Sequence, residues 1–341
     1  MSRLRRVHGL PPAALVLLLA CGCAAGRPAA VSSPAVSAPA PASGSASPGA
    51  GRARTAPAWR PGPDLPVAVS EVAVAVLGTD VHVLGGYRNG RPHSTTHLVL
   101  DTTAGRWRTA APLPQPLDHI AGAAVGGRLY AVGGYGGAGP TDAAYSYDPA
   151  TDRWSAAAPL PSPRAAATAA VLDGRLHVVG GKGPGGDTGE HDVLDPATGR
   201  WSTAAPMPTA RDHAAAAVVA GRLYVAAGRP ADLDRVQSYD PATDRWRTEP
   251  PLPHGRSSLA GASYAGRFLV LGGEDTGERR IYREVDAFDP TTRRWSRGTA
   301  LPQGRQGTQA VVVGDRLYLP GGGPSAGGTR QSAQLLVLAP A

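Results

Sequence analysis

The six tryptophans of this 341-residue chain recur at nearly constant spacing. They are Trp59, Trp107, Trp154, Trp201, Trp246 and Trp295, at intervals of 48, 47, 47, 45 and 49 residues. Each is followed six residues later by Leu-Pro or Met-Pro, and glycine pairs keep the same step, except that Ala227-Gly228 stands in the fourth repeat. Self-similarity at a period of 45–50 residues indicates an architecture in which each repeat is one structural unit.

Within a repeat, the pattern predicts four short strands. In the second repeat these are Ile120–Val125, Leu129–Val132, Ala144–Tyr147 and a strand around Trp154. The turn between the first two is Gly126-Gly127, and glycine supplies the positive φ that tight hairpins need. We expect the paired glycines after the second strand to leave room for the tryptophan ring. Aromatic residues seven positions before the tryptophan should pack alongside it: Tyr147, Tyr239 and Phe288.

These features resemble the Kelch family, whose repeats carry a glycine pair after the second strand and a tryptophan in the fourth. The resemblance covers Trp59 to the C-terminus and implies an all-β fold, a six-bladed Kelch-type β-propeller with four antiparallel strands per blade. WD40 propellers fit less well because no tryptophan here is followed by aspartate. The chain ends on residues 334–340, which align with the third strand of the second repeat. We therefore predict that an N-terminal strand around Trp59 supplies the missing fourth strand and closes the ring.

The N-terminal segment resembles a bacterial export signal. Three arginines precede the short apolar stretch Leu10–Ala20, and Leu18-Leu19-Ala20-Cys21 is similar to a lipobox, which implies lipidation of Cys21. We predict a signal peptide over 1–20, an Ala/Pro/Ser/Gly tether over 21–58 and the propeller over 59–341. The protein would then be a lipoprotein on the outer face of the cytoplasmic membrane. The alternative is an ordinary cleaved signal and a secreted protein.

Charge and cysteine content exclude some functions. Six arginines and no acids lie in residues 1–58, which leaves 34 − 6 = 28 basic and 26 acidic residues for the propeller. A nucleic-acid-binding surface would retain a basic excess there, so no nucleic-acid partner is expected. The two cysteines, Cys21 and Cys23, both precede the propeller. The Tyr–Cys copper cofactor of galactose-oxidase relatives therefore cannot form, and we expect no cofactor.

Candidate binding residues lie on the face formed by the 2–3 loops and the 4–1 connections, because loops that differ between similar repeats usually carry function. Four consecutive blades place an arginine in the 4–1 connection: Arg164, Arg211, Arg256 and Arg305. Directly after the glycine pairs come Tyr87, Tyr135, Arg229 and Glu274. The Kelch resemblance implies that such arginines and tyrosines contact an acidic partner. The alternative is that each arginine pins its connection to a neighbouring carboxylate.

Two Asp-His pairs, Asp118-His119 and Asp212-His213, suggest a metal site together with Glu71. One whole blade separates the two pairs, so the two histidines and Glu71 would have to converge across the channel, and we expect no metal. A solvent-facing or turn-satisfying role is the prediction.

The sequence leaves two functions open. The first is a tethered, non-catalytic binding module for an unknown protein, peptide or glycan, which predicts that the chain is not an enzyme. The second follows from a resemblance to the six-bladed exported sialic acid mutarotases. That chemistry needs a carboxylate and an arginine near the channel mouth, and Glu71 or Glu274 with Arg211 or Arg229 could supply them.

Overall fold

The computed structural model describes residues 57–88, 90–328 and 330–340. The predicted signal peptide, Cys21 and nearly all of the tether lie outside the described residues. No helix in the described ranges is long and apolar enough to cross a membrane.

Six four-stranded antiparallel sheets, numbered here as blades 1 to 6, surround a central channel in the described chain. The innermost strands are Ala73–Leu77, Ala121–Val125, Thr168–Leu172, Ala215–Val219, Ala260–Tyr264 and Val311–Val313. The second strands are Asp80–Leu84, Arg128–Val132, Arg175–Val179, Arg222–Ala226, Arg267–Leu271 and Arg316–Pro320.

The outer two strands complete each blade. The third strands are His97–Asp101, Ala144–Asp148, His191–Asp195, Val236–Asp240, Val285–Asp289 and Leu335–Ala339. The fourth strands are Arg106–Thr109, Arg153–Ala156, Arg200–Thr203, Arg245–Glu249, Arg294–Arg297 and, for blade 6, Ala58–Pro61. Pairs of two-residue strands in the loops include Val69–Ser70 with Tyr87–Arg88 and Lys182–Gly183 with Gly186–Asp187. The predicted fold class is confirmed.

Ring closure also follows the prediction. The N-terminal strand Ala58–Pro61 pairs antiparallel with Leu335–Ala339, and Trp59 lies opposite Leu338. In blade 2 the same register places Tyr147 opposite Trp154. The residue seven positions before each tryptophan is therefore its cross-strand neighbour, and blade 6 reproduces that neighbour from the other end of the chain.

Each indole ties its blade to the preceding one. Trp154 donates its Nε1 hydrogen to the carbonyl oxygen of Ala111 at 2.9 Å, and Trp59 donates to Thr299 at 2.8 Å. The other four tryptophans donate to equivalent carbonyls at 2.7–3.0 Å. The aromatic neighbours pack as predicted, since the rings of Tyr147 and Trp154 are 5.3 Å apart.

The glycine pairs serve a different contact from the one we expected. A Cβ atom on Gly133 would overlap the carbonyl oxygen of Arg164, which belongs to the next blade, and Gly133 has φ 63°. That carbonyl accepts the N–H of Gly134 at 3.0 Å. The backbone of the neighbouring blade, and not the tryptophan ring, fills the space that the glycines leave.

Candidate active site

A closed ring of backbone hydrogen bonds surrounds the channel axis at the 2–3 loop face. Six equivalent positions, two residues before the innermost strands and four residues before that of blade 6, all have φ between 50° and 63°. At each position the N–H donates to the carbonyl oxygen of the equivalent residue in the preceding blade, at 2.5–3.0 Å. The six residues are Glu71, His119, Ala166, His213, Ser258 and Gly307. Their side chains line one small cavity of about 60 Å³.

Three titratable side chains of this ring meet near the axis. Nε2 of His119 lies 3.1 Å from Oε2 of Glu71, and the rings of His119 and His213 have centroids 4.9 Å apart. Our expectation that these residues could not converge is wrong. The backbone ring contains only six residues, so residues on non-adjacent blades lie close together. The intervening positions in blades 3 and 6 are the small residues Ala166 and Gly307.

Each axial histidine is held by the aspartate that precedes it. Nδ1 of His119 lies 2.6 Å from Oδ1 of Asp118, and Nδ1 of His213 lies 2.8 Å from Oδ1 of Asp212. Both aspartates are buried. Because a carboxylate can only accept, Nδ1 carries the hydrogen in both histidines, and Nε2 is the nitrogen that faces the axis.

The surroundings shift the pKa values of the two histidines in opposite directions. Burial opposes charge on His119, but the carboxylates of Glu71 and Asp118 prevail and raise its pKa to about 9. Burial lowers the pKa of His213, and the charge of the neighbouring His119 lowers it further. The hydrogen bond to Asp212 opposes both effects but does not overcome them. Burial alone would raise the pKa of Glu71, but His119 lowers it to about 2. At neutral pH the axis therefore holds a cationic histidine, a neutral histidine and a carboxylate.

Four of the predicted ligand-binding residues surround this cluster. The rings of Tyr87 and Tyr135 stand edge-on to His119, at centroid distances of 5.7 and 5.4 Å. Nη2 of Arg229 lies 2.7 Å from Oε1 of Glu274, and the Arg229 side chain is 33% exposed. The other carboxylate oxygen of Glu274 accepts the N–H of Gly327, from the 2–3 loop of blade 6.

The four predicted arginines lie inside their blades instead. Arg164, Arg211, Arg256 and Arg305 are at most 2% exposed. Each reaches the start of the third strand of its own blade, and the respective partners are Asp192, Gln237, Asp286 and Gln334. Buried guanidinium groups with these partners fit the alternative interpretation, in which the arginine pins the 4–1 connection.

We predict that Arg256→Ala lowers the free energy of unfolding by roughly 3–5 kcal/mol, because Asp286 stays buried and loses its only fully buried cationic partner. The matched control is Arg297→Ala, since Arg297 contacts the same aspartate at 2.9 Å but is 52% exposed. It should cost less than about 1 kcal/mol. Chemical denaturation measures both. Equal costs for the two variants would contradict the pinning role.

A divalent metal is the other occupant that the axial cluster could take. Glu71, His119 and His213 each offer one ligand atom, and carboxylate-backed histidines are common around metals. In the described geometry, however, Nε2 of His119 is within hydrogen-bonding distance of Glu71. The 3.1 Å separation allows a direct hydrogen bond from His119 to Glu71, and on this contact we interpret the cluster as a proton-transfer site.

Comparison with known proteins agrees with the architecture. The family model of the KLHDC2/KLHL20/DRC7 Kelch-repeats domain matches residues 55–207 and 159–322. A solved structure described as "Structure of YjhT" is similar with a TM-score of 0.71 and 20% identity, over 82% of this chain and 97% of that chain. At this identity the likeness shows the fold. No curated protein matches the sequence.

The prediction that the chain is not an enzyme is wrong as a general exclusion. The solved structure of YjhT, whose fold is matched over 97% of that chain, does not allow that exclusion.

Proposed function

The chain belongs to the KLHDC2/KLHL20/DRC7 Kelch-repeats domain family, and on that premise we propose that its axial cluster interconverts the anomers of an acidic sugar. The observation that carries the proposal is the contact between two histidines with opposite pKa shifts. Titratable groups whose environments separate their pKa values in this way divide the roles of acid and base between them.

The proton transfers can be written with named atoms. Nε2 of His119 donates a proton to the ring oxygen of the sugar as the bond from that oxygen to the anomeric carbon breaks. Nε2 of His213 takes the proton from the anomeric hydroxyl, and the open-chain carbonyl forms. Rotation about the adjacent C–C bond presents the other face of the carbonyl. On closure the former ring hydroxyl returns its proton to His119, and His213 returns the other proton to the anomeric oxygen, so the reaction needs no cofactor or redox partner.

Glu71 and the two aspartates prepare this chemistry. Glu71 and Asp118 hold the proton on His119 until a ring oxygen competes with Glu71 for it. Asp212 fixes the tautomer of His213, so the lone pair on Nε2 faces the axis. The cations Arg229 and Lys182 lie at the equivalent positions of blades 4 and 3, where they would attract the sugar's carboxylate. Tyr87 and Tyr135 would pack against the sugar ring.

The test is anomer exchange followed by NMR. A freshly dissolved single anomer of N-acetylneuraminic acid, and of galactose as a neutral sugar, is mixed with the protein at pH 8 in dilute non-phosphate buffer. We expect faster equilibration of the acidic sugar. The proposal fails if neither sugar equilibrates faster with protein than without it.

A second candidate is recognition of an acidic protein, peptide or glycan by the same face without turnover. Membership of the Kelch-repeat family favours a protein-binding module, and the exposed Arg229 would contact the acidic group. The tethered localisation through Cys21 remains a proposal that fits either function. Saturable binding of the acidic sugar or an acidic peptide without anomer exchange would favour this candidate.

A further inference from the structure

The buried carboxylate of Asp118 has a second histidine on its far side. Its Oδ1 faces Nδ1 of His119 at 2.6 Å, while Oδ2 lies 2.7 Å from Nδ1 of His93. The backbone N–H of His93 also donates to Oδ2, at 3.0 Å. Asp118 is 1% exposed, whereas the side chain of His93 is 30% exposed. A chain of His93, Asp118, His119 and Glu71 therefore runs from the surface to the axis.

His93 lies in the 2–3 loop of blade 1, yet the aspartate that it contacts leads into blade 2. The loop reaches this position because His93 adopts φ 53°, a left-handed conformation that few residue types favour. The backbone hydrogen bond fixes Oδ2, and Nδ1 of His93 packs against the same oxygen at 2.7 Å without hydrogen-bond geometry. With Oδ2 held, Oδ1 is left to face Nδ1 of His119.

The other axial histidine has a different arrangement. The 2–3 loop of blade 3 presents Asp187 to Asp212, where the loop of blade 1 presents His93 to Asp118. Burial and the charge of Asp212 raise the pKa of Asp187. One buried aspartate thus faces a histidine, and its counterpart faces a second carboxyl group. This difference matches the opposite roles assigned to His119 and His213.

We propose that His93 is a positioning residue for the axial acid, holding the Asp118 carboxylate in the orientation in which it faces Nδ1 of His119. The catalytic role of His93 rests on the proposed function. Its effect on the titration of His119 can be measured whether or not the protein is an enzyme. The charged groups around His93 are Asp118 and, from its own loop, Arg88 and Arg91. Arg88, Arg91 and His93 all lie outside the axial ring.

The test compares two substitutions by NMR titration of His119 in the intact protein without sugar. His93→Ala removes the side-chain contact, and we expect the titration midpoint of His119 to fall by about one pH unit. His93→Asn keeps a donor at the position of Nδ1 and tolerates left-handed backbone, so the midpoint should stay within about 0.3 unit of the wild type. His254→Ala, which removes an exposed histidine on another connection, is the control.

A midpoint unchanged by His93→Ala would overturn the proposal. So would an equal fall in both variants, because the donor that asparagine retains would then make no difference to His119. If the anomer-exchange rate is also measured, His93→Ala should move the alkaline limb of the pH profile to lower pH. His93→Asn should leave that limb in place. A midpoint that falls only in His93→Ala, in a protein that exchanges no anomers, would support the positioning role while rejecting the proposed function.

Discussion

Deletion of residues 1–66 should lower the melting temperature by roughly 10 °C or more, whereas deletion of 1–56 should leave it nearly unchanged. The longer deletion removes the fourth strand of blade 6, its pairing with Leu335–Ala339 and the indole bond from Trp59 to Thr299. It also removes Leu65, which is 4% exposed, and the carbonyl of Pro63 that accepts from Trp107. Loss of one buried leucine alone costs about 2–5 kcal/mol, and about 2–4 °C accompanies each kcal/mol in a domain of this size.

Two further variants separate the causes. Trp59→Phe keeps a ring opposite Leu338 and loses only the donor to Thr299, so it should cost about 1 kcal/mol. Trp59→Ala loses both, and should cost about 2–4 kcal/mol because the ring is half-buried. Calorimetry measures all four proteins. If the two deletions melt within about 2 °C of one another, the closing strand contributes little.

His213→Asn should slow anomer exchange by about 10²- to 10⁴-fold, the usual contribution of a positioned general base. Asparagine can still donate to Asp212 but offers no basic nitrogen to the axis. The control is His254→Ala, which removes an exposed histidine outside the backbone ring and should alter the rate less than about threefold. Equal rates for His213→Asn and the wild type would remove His213 from the mechanism.

The rate of the wild-type protein should fall at both low and high pH. The active form needs a neutral His213 and a protonated His119. The rate should fall as pH drops below the pKa of His213, which is lowered from 6.5. It should fall again as pH rises through about 9, the pKa of His119. A broad maximum between these two limbs results, and His213→Asn should lose the acidic limb.

The sequence predicted the fold because its repeats are locally consistent. The tryptophan spacing, the turn glycines and the incomplete last repeat were sufficient for six blades and for closure by Trp59. They were also sufficient to select the face, since the 2–3 loops and 4–1 connections do hold the axial cluster. Tyr87, Tyr135, Arg229 and Glu274 lie where that reasoning placed them.

The sequence pattern did not predict how deeply each side chain is buried. Arg164 and Arg229 both occupy repeated positions, but one is buried against Asp192 and the other reaches the mouth. Convergence of His119 and His213 was also missed, because it depends on left-handed backbone at six equivalent positions. His93 gave no signal, since its contact with Asp118 joins a variable loop to another blade.

The most direct test of the acid–base pair is an NMR titration of the histidine rings, assigned by His119→Gln and His213→Asn. We predict that His119 titrates near pH 9 and that His213 remains neutral down to below pH 6.5. Glu71→Gln should bring the midpoint of His119 down by at least about one unit, because its nearest carboxylate is then uncharged. Two axial histidines that both titrate near their ordinary value of 6.5 would contradict the division of acid and base between them.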